Sequence, residues 1–200
     1  MDFPALTAFL SDLALHNDKP WFEAHRAAYE RLRSDWLAFV GQVIAGIAQF
    51  DPSVGIVSPR DAQFRINRDV RFSRDKRPYK TTFSAAICPQ GRASGLPAYY
   101  FQIDAMGNLF LGGGLYAPSS DQLANARRFI AAHPQRLDAL YADPAFHAAY
   151  GAIDGEMLKR PPAGFPSDAS HLDALKLKQY LVGQSYIVHE IADDALAPLI

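Results

Sequence analysis

With one cysteine in 200 residues, Cys88, this chain can form no intrachain disulfide and has no partners for a thiolate metal site. The neighbours Ala85, Ala86 and Ile87 mark Cys88 as a small buried residue rather than a reactive thiol. No apolar run reaches the ~18 residues that a membrane span requires, and the opening MDFPALTAFL lacks the basic start of a signal peptide. A soluble cytoplasmic protein that does not enter a membrane is therefore expected. The histidines His16, His25, His133, His147, His171 and His189 show no HExxH or HxH spacing, so neither a metal nor another cofactor is expected. A GxSxG elbow is missing, and Ser73 has no local base. Gly112-Gly113-Gly114 fits neither the dinucleotide nor the P-loop spacing, and no Lys-Ser or Lys-Thr follows it. Its three missing side chains allow either a strand bulge with close backbone packing or the approach of a ligand. No residue acquires a catalytic role on these grounds.

Excess charge is absent too. The formal net charge is -1 and the pI about 6.6, which argues against a protein that coats DNA by broad phosphate neutralisation. A focused phosphate site stays open. The composition, 49% hydrophobic and 20% charged, is that of a globular domain long enough to bury a core.

Helical spacing dominates the first fifty residues. Asp2 caps a first helix with Pro4 in its opening turn, and Leu6, Phe9, Leu10 and Leu13 form its apolar stripe. Asn17 or Asp18 caps the next, whose stripe runs from Trp21 through Trp36 to Phe50. After Pro52 the period falls from 3.6 to 2. Residues 62–67, 82–88, 98–105 and 108–116 are predicted strands, with a hairpin at Met106-Gly107-Asn108. Ser119 and Gln122 have capping-box spacing and open a helix through Ile130. Short helices follow to Gly151, then helix over 171–178, a partly extended stretch over 180–188 and a terminal helix over 192–200. The predicted architecture is one α+β domain of residues 1–200, helical over 1–50, sheet-rich over 54–117 and helical over 119–200. Its antiparallel sheet of about four to six strands is packed by helices from both ends of the chain.

Against this neutral background one stretch stands apart. Residues Phe64–Lys80 carry Arg65, Arg68, Arg71, Arg74, Lys76, Arg77 and Lys80 against Asp69 and Asp75, a charge of +5 in seventeen residues. As a strand, Phe64, Ile66, Val70 and Phe72 share one face, and Arg68 is the single cation among them, which burial would oblige to pair. As a helix, Arg65, Arg68, Arg71 and Arg74 form an i+3 row without a clean apolar stripe. Strand over 64–67 passing into an irregular loop at 73–77 is the preferred form, because Pro78 biases Arg77 to extended backbone. Convergent guanidinium forks match the paired oxygens of phosphate or carboxylate, with Lys76 and Lys80 as point charges and Tyr79 as a stacking face or hydroxyl. The same arginines can equally pair with the protein's own acids and lock the loop. Asp69 and Asp75 would then be their counter-ions rather than an acid–base or magnesium pair.

The stretch FRINRDVRFSRDKRPYKT at 64–81 resembles the signature of the domain-of-unknown-function 2461 family. Asn17 with Lys19-Pro20-Trp21-Phe22, LGGGLYAP at 111–118, GEMLKRPPAGF at 155–165 and Lys178-Gln179-Tyr180 are similar to further blocks of that family. The resemblance covers essentially the whole chain and implies no established activity or cofactor. It implies that some of Lys19, Gly112–Gly114, Tyr116, Lys159, Arg160 and Lys178 converge on the basic strip. Members of the family are expected to continue into a further helical segment after the position of Ile200. The candidate ligand-binding residues are Arg65, Arg68, Asp69, Arg71, Arg74, Lys76, Tyr79 and Lys80. The expected partner is a phosphorylated small molecule or a nucleic acid. The alternatives are an enzyme acting on a phosphorylated or carboxylated substrate, with Asp69, Asp75 or Tyr79 in acid–base roles, and an interaction module in which the strip is an electrostatic clasp.

Overall fold

Helices from the first fifty residues precede a four-stranded antiparallel sheet, in a computed structural model that describes residues 1–188 apart from the side chain of Ala93. The expected terminal helix at 192–200 lies outside the described residues. In chain order the helices are α1 Phe3–Leu15, α2 Lys19–Ala24, α3 Arg26–Ile47, α4 Pro59–Ala62, α5 Ser120–Ala132, α6 Pro134–Ala142, α7 Pro144–Tyr150 and α8 Leu172–Lys176. The strands are β1 Thr82–Ile87, β2 Ala98–Asp104, β3 Asn108–Leu115 and β4 Tyr180–Ile187, in the sheet order β1-β2-β3-β4. This is an α+β fold.

Local chemistry sets most of these boundaries. The Asp2 carboxylate accepts the Ala5 N–H at 2.9 Å and that of Asp18 accepts the Trp21 N–H at 2.8 Å. Ser119 and Gln122 complete the expected capping box. Each such cap stabilises its helix by about 1 kcal/mol. The single long helix expected from Trp21 to Phe50 is divided at His25, which ends α2 and begins α3. The hairpin forms where expected. Asp104 accepts the backbone N–H groups of Met106 and Asn108 at 2.8 and 3.0 Å, and Gly107 supplies the φ of +79° that the turn demands.

By internal contacts the chain forms two compact units. The first comprises Met1–Arg92, Tyr99–Leu111 and the stretch from Ser185. Its core is aromatic: fully buried Trp36 meets Phe83 edge-on with ring centroids 5.7 Å apart, and Phe101 at 5.3 Å. Leu6, Leu10 and Leu13 of α1 and Val40 and Ile47 of α3 complete it, each buried side chain contributing about 1.5–3 kcal/mol. β1 is buried along nearly its whole length, Cys88 just after it included, as its small residues predict. β1 and β2 pair from Thr82↔Asp104 to Ile87↔Tyr99.

The second unit comprises Ala93–Ala98 and Gly112–Gln184. Here the Arg127 guanidinium of α5 donates to the carbonyls of Leu175 and Leu177 at 2.8 and 2.9 Å, which satisfies the end of α8. The triple glycine stays within β3. Gly114 has φ +130°, and a Cβ built on it would lie 2.0 Å from the Tyr180 carbonyl oxygen. Close backbone packing therefore accounts for Gly114. Among the described residues no helix is long and apolar enough to cross a membrane, and no three His, Cys, Asp or Glu side chains are placed to hold a metal ion.

Candidate functional site

The strip runs between α4 and β1, and its course differs from the predicted strand over 62–67. Ser58 caps the one-turn helix α4, which ends at Ala62. Gln63 then bridges Ala85, Phe64 donates its N–H to the Ser84 carbonyl at 2.9 Å, and by Asn67 the chain has turned to bridge Tyr79. Consecutive residues thus face different partners, β1 first and the returning strip second, so isolated bridges form instead of a ladder. Arg68 N–H donates to Pro78 O, and Lys80 N–H to Ile66 O, both at 2.8 Å. These bonds close the base of a loop over residues 68–78.

Inside that loop the charges pair. Arg68, the cation expected to need a partner, has a side chain only 24% exposed and lies 2.8 Å from Asp75. It also donates to the Arg77 carbonyl at 3.0 Å and to Ser73 Oγ at 3.4 Å. Asp69 and Asp75 behave alike. Each accepts the backbone N–H two residues on, at 3.2 and 3.0 Å, and the guanidinium of that same residue, Arg71 or Arg77, at 2.6 and 2.8 Å. The sequence shows the reason, an Arg-Asp-x-Arg pattern at 68–71 and again at 74–77. Hydrogen bonds from Arg71 hold Asp69 below its ordinary pKa, and those from Arg77, with Arg68 adding to them, hold Asp75 lower still. Lys76 Nζ donates to the Val70 carbonyl at 3.0 Å. The apolar face expected for the strip survives only at its start. Ile66 is buried, whereas Phe72 at the tip of the loop is 95% exposed.

Tyr79 is tied down from the other side. In an antiparallel pair alternate residues turn their backbone groups away from the partner, and Tyr79 does so opposite Asn67. The Asn17 side-chain amide takes the place of a further strand. Its Oδ1 accepts the Tyr79 N–H and its Nδ2 donates to the Tyr79 carbonyl, both at 3.0 Å. Phe22 stacks on the Tyr79 ring with centroids 4.0 Å apart and planes at 15°. Burial raises the pKa of the Tyr79 hydroxyl. A cleft of about 300 Å³ opens beside this joint, lined by Asn17, Arg68, Asp75, Arg77, Tyr79, Lys80, Thr81 and Thr82. Three cations border it against one carboxylate.

Some of the positive charge has no acidic partner. Arg65 and Arg74 are exposed and form no ion pair among the described residues. Lys80 is half-buried, with Nζ 5.2 Å from the centroid of Phe64, and Arg92 Cζ lies 4.5 Å from the same ring. Burial lowers the Lys80 pKa, and the charges of Arg65 and Arg92 lower it further. Phe64 itself rests edge-on to Tyr100 of β2, ring centroids 6.2 Å apart.

The eight candidates divide accordingly. Arg68, Asp69, Arg71 and, through its backbone bond, Lys76 brace the loop. Arg65 and Lys80 gather near Phe64, Tyr79 anchors the return of the chain, and Arg74 projects outward. The block at Asn17–Phe22 reaches the strip through Asn17 and Phe22, while Lys19 is exposed on α2. In the second unit Lys178 pairs with Glu156 at 2.9 Å. Sequence reasoning missed Arg92, Asp61, Thr81 and Thr82. Thr81 and Thr82 directly follow the strip, but only the fold brings Arg92 to it, held by donation from its Nε to the Asp61 carbonyl at 2.5 Å.

A family model described as "Conserved hypothetical protein (DUF2461)" matches residues 5–200. Neither the curated proteins nor the solved structures compared with the chain give a match. The chain belongs to the DUF2461 family.

Proposed function

We propose that this chain is an anion-binding domain whose basic strip, residues 65–80, receives phosphate or carboxylate on a small molecule or a nucleic acid. One observation carries the reading. The two carboxylates of the strip are used by Arg68, Arg71 and Arg77, which leaves Arg65, Arg74, Lys80 and the backbone-bonded Lys76 without an acidic partner among the described residues. Fixed cations whose field is not cancelled locally attract anions and hold them when hydrogen-bond donors are in place. The cleft beside Lys80 adds the hydroxyls of Thr81 and Thr82 as further donors.

A clasp is the second reading, and the pairing of half-buried Arg68 with Asp75 favours it for that half of the strip. The two readings are compatible, since a braced loop presents its remaining cations in fixed positions. Acid–base catalysis has less support. Asp69 and Asp75 are held ionised by their arginines, and the Tyr79 hydroxyl sits above its ordinary pKa on a ring packed against Phe22. These groups are poorly matched to proton transfer near neutral pH.

Thermal-shift titration with inorganic phosphate, sugar phosphates, nucleotides, carboxylates and short single strands tests the reading. A saturable rise in the melting temperature is expected for at least one phosphorylated class and is lost in Arg65→Ala/Lys80→Ala. A steep loss of affinity with salt would identify nucleic acid. If no anion moves the melting temperature at millimolar concentration, the anion reading fails and the clasp alone remains.

A further inference from the structure

We propose that Lys80 and Arg92, both set against the ring of Phe64, form with Arg65 from the adjoining position of the chain a receptor for the dianion of a phosphate monoester. This rests on the anion reading and moves its centre from the carboxylate-paired arginines of the loop to a cluster that includes a residue outside the strip.

Lys80 and Arg92 face one ring and Arg65 adjoins it in sequence; none of the three forms an ion pair with a carboxylate among the described residues, and Lys80 is half-buried. The two legs to the Phe64 centroid, 5.2 Å for Lys80 Nζ and 4.5 Å for Arg92 Cζ, keep these cationic centres within about 10 Å of each other. Like charges held so close repel, and desolvation of Lys80 adds to the cost. A doubly charged ligand offsets more of that repulsion than a single carboxylate does. It also supplies several oxygens, enough for an ammonium and two guanidinium forks.

The cluster is also preorganised. Phe64 is fixed by its N–H to Ser84, Lys80 by its N–H to Ile66, and Arg92 by its Nε to the Asp61 carbonyl. The ring attracts both cations through its quadrupole. It thereby holds them in place without neutralising their charge, as a carboxylate would. This is what separates the cluster from Arg71 and Arg77, whose forks are already occupied by Asp69 and Asp75. Ordering costs met in advance by the fold are not charged to the ligand.

The test uses the full chain and calorimetric or thermal-shift titration with methyl phosphate, dimethyl phosphate and acetate. Methyl phosphate at pH 8 is a dianion, whereas dimethyl phosphate keeps the phosphorus chemistry with one charge and acetate keeps one charge alone. Methyl phosphate is expected to bind about tenfold or more tightly than the other two, and Arg92→Gln and Lys80→Gln each to weaken it by about tenfold. Arg33→Gln, on α3 beside Glu30, is the charge-matched control and should leave affinity within twofold. Lys80→Gln is expected to fold at least as well as the parent, because it removes a half-buried ammonium from the field of two arginines. Should it fail to fold, exposed Arg92 carries the test.

Equal binding of all three anions overturns the dianion assignment. If methyl phosphate binds but Arg92→Gln and Lys80→Gln leave it unchanged while Arg77→Gln abolishes it, the location is wrong and the anion reading survives. If none of the anions binds, both fall.

Discussion

Asn17→Ala removes the two hydrogen bonds by which one side chain holds the backbone of Tyr79, sixty-two residues away. Each such bond contributes about 0.5–1.5 kcal/mol net, and a buried backbone group left without a partner costs about 1–3 kcal/mol. Tyr79 is only 6% exposed, so its N–H and C=O are poorly placed to recover both bonds from water. Together these put the loss at about 2–3 kcal/mol, or roughly 5–10 °C in melting temperature for a chain of this size. Urea denaturation should show the midpoint falling with little change in m, and exchange of the Arg68 and Lys80 amides should accelerate before that of β1. Asn17→Asp sharpens the test. At neutral pH it keeps the acceptor for the Tyr79 N–H but sets a carboxylate oxygen against the Tyr79 carbonyl in place of a donor. It should therefore be no better than Asn17→Ala at pH 7, with the gap between it and the parent narrowing toward pH 4 as the new carboxyl acquires a proton. A loss below about 0.5 kcal/mol for Asn17→Ala would show that the amide is not the tie between α2 and the strip.

Gly114→Ala should cost more than about 3 kcal/mol or prevent folding of the second unit, as read by circular dichroism, because its Cβ would meet backbone at 2.0 Å and φ is +130°. Gly46→Ala is the opposite case: a helical position with nothing within 4 Å of the new Cβ, expected to gain about 0.5 kcal/mol in urea midpoint analysis. Phe72→Ala should leave stability within about 0.5 kcal/mol, since the ring is 95% exposed; a larger loss would mean that the tip packs on something. Asp69 and Asp75 have folded pKa values below the ordinary carboxylate range. Their contribution to stability is thus full above about pH 4 and disappears as pH falls through the lower folded values. Asp75→Asn should flatten that acid limb, and an unchanged limb would refute the pairing.

Local interactions leave a record in neighbouring residues, and distant ones do not. Caps at Asp2, Asp18 and Ser119, the apolar stripes of α1 and α3, and the hairpin at Gly107 were all readable, because their partners lie within four residues and periodicity or turn chemistry records them. The break at His25 was missed because an apolar stripe can continue in register across it. The strand expected over 62–67 failed for a related reason. Its residues have strand chemistry, but pairing is a property of the neighbour, and the neighbour changes between Phe64 and Asn67.

An α+β chain of the DUF2461 family with its positive charge concentrated at 64–80 was legible from residue order alone, whereas the pairing of Asp69 with Arg71 and of Asp75 with Arg77 was seen only in the folded loop. The pairs form over two residues, so any compact course of the loop preserves them. Which cations remain unpaired depends on contacts between distant parts of the chain. Arg92 comes from the connection between β1 and β2, and it reaches Phe64 because the fold sets that connection beside Asp61. Asn17 comes from the break between two helices and supplies what a missing strand would have donated. Charge and helical period act over a few ångströms of chain and are written in neighbouring residues. The convergence of Lys80 and Arg92 on Phe64 acts across space, where order in the chain carries no distance.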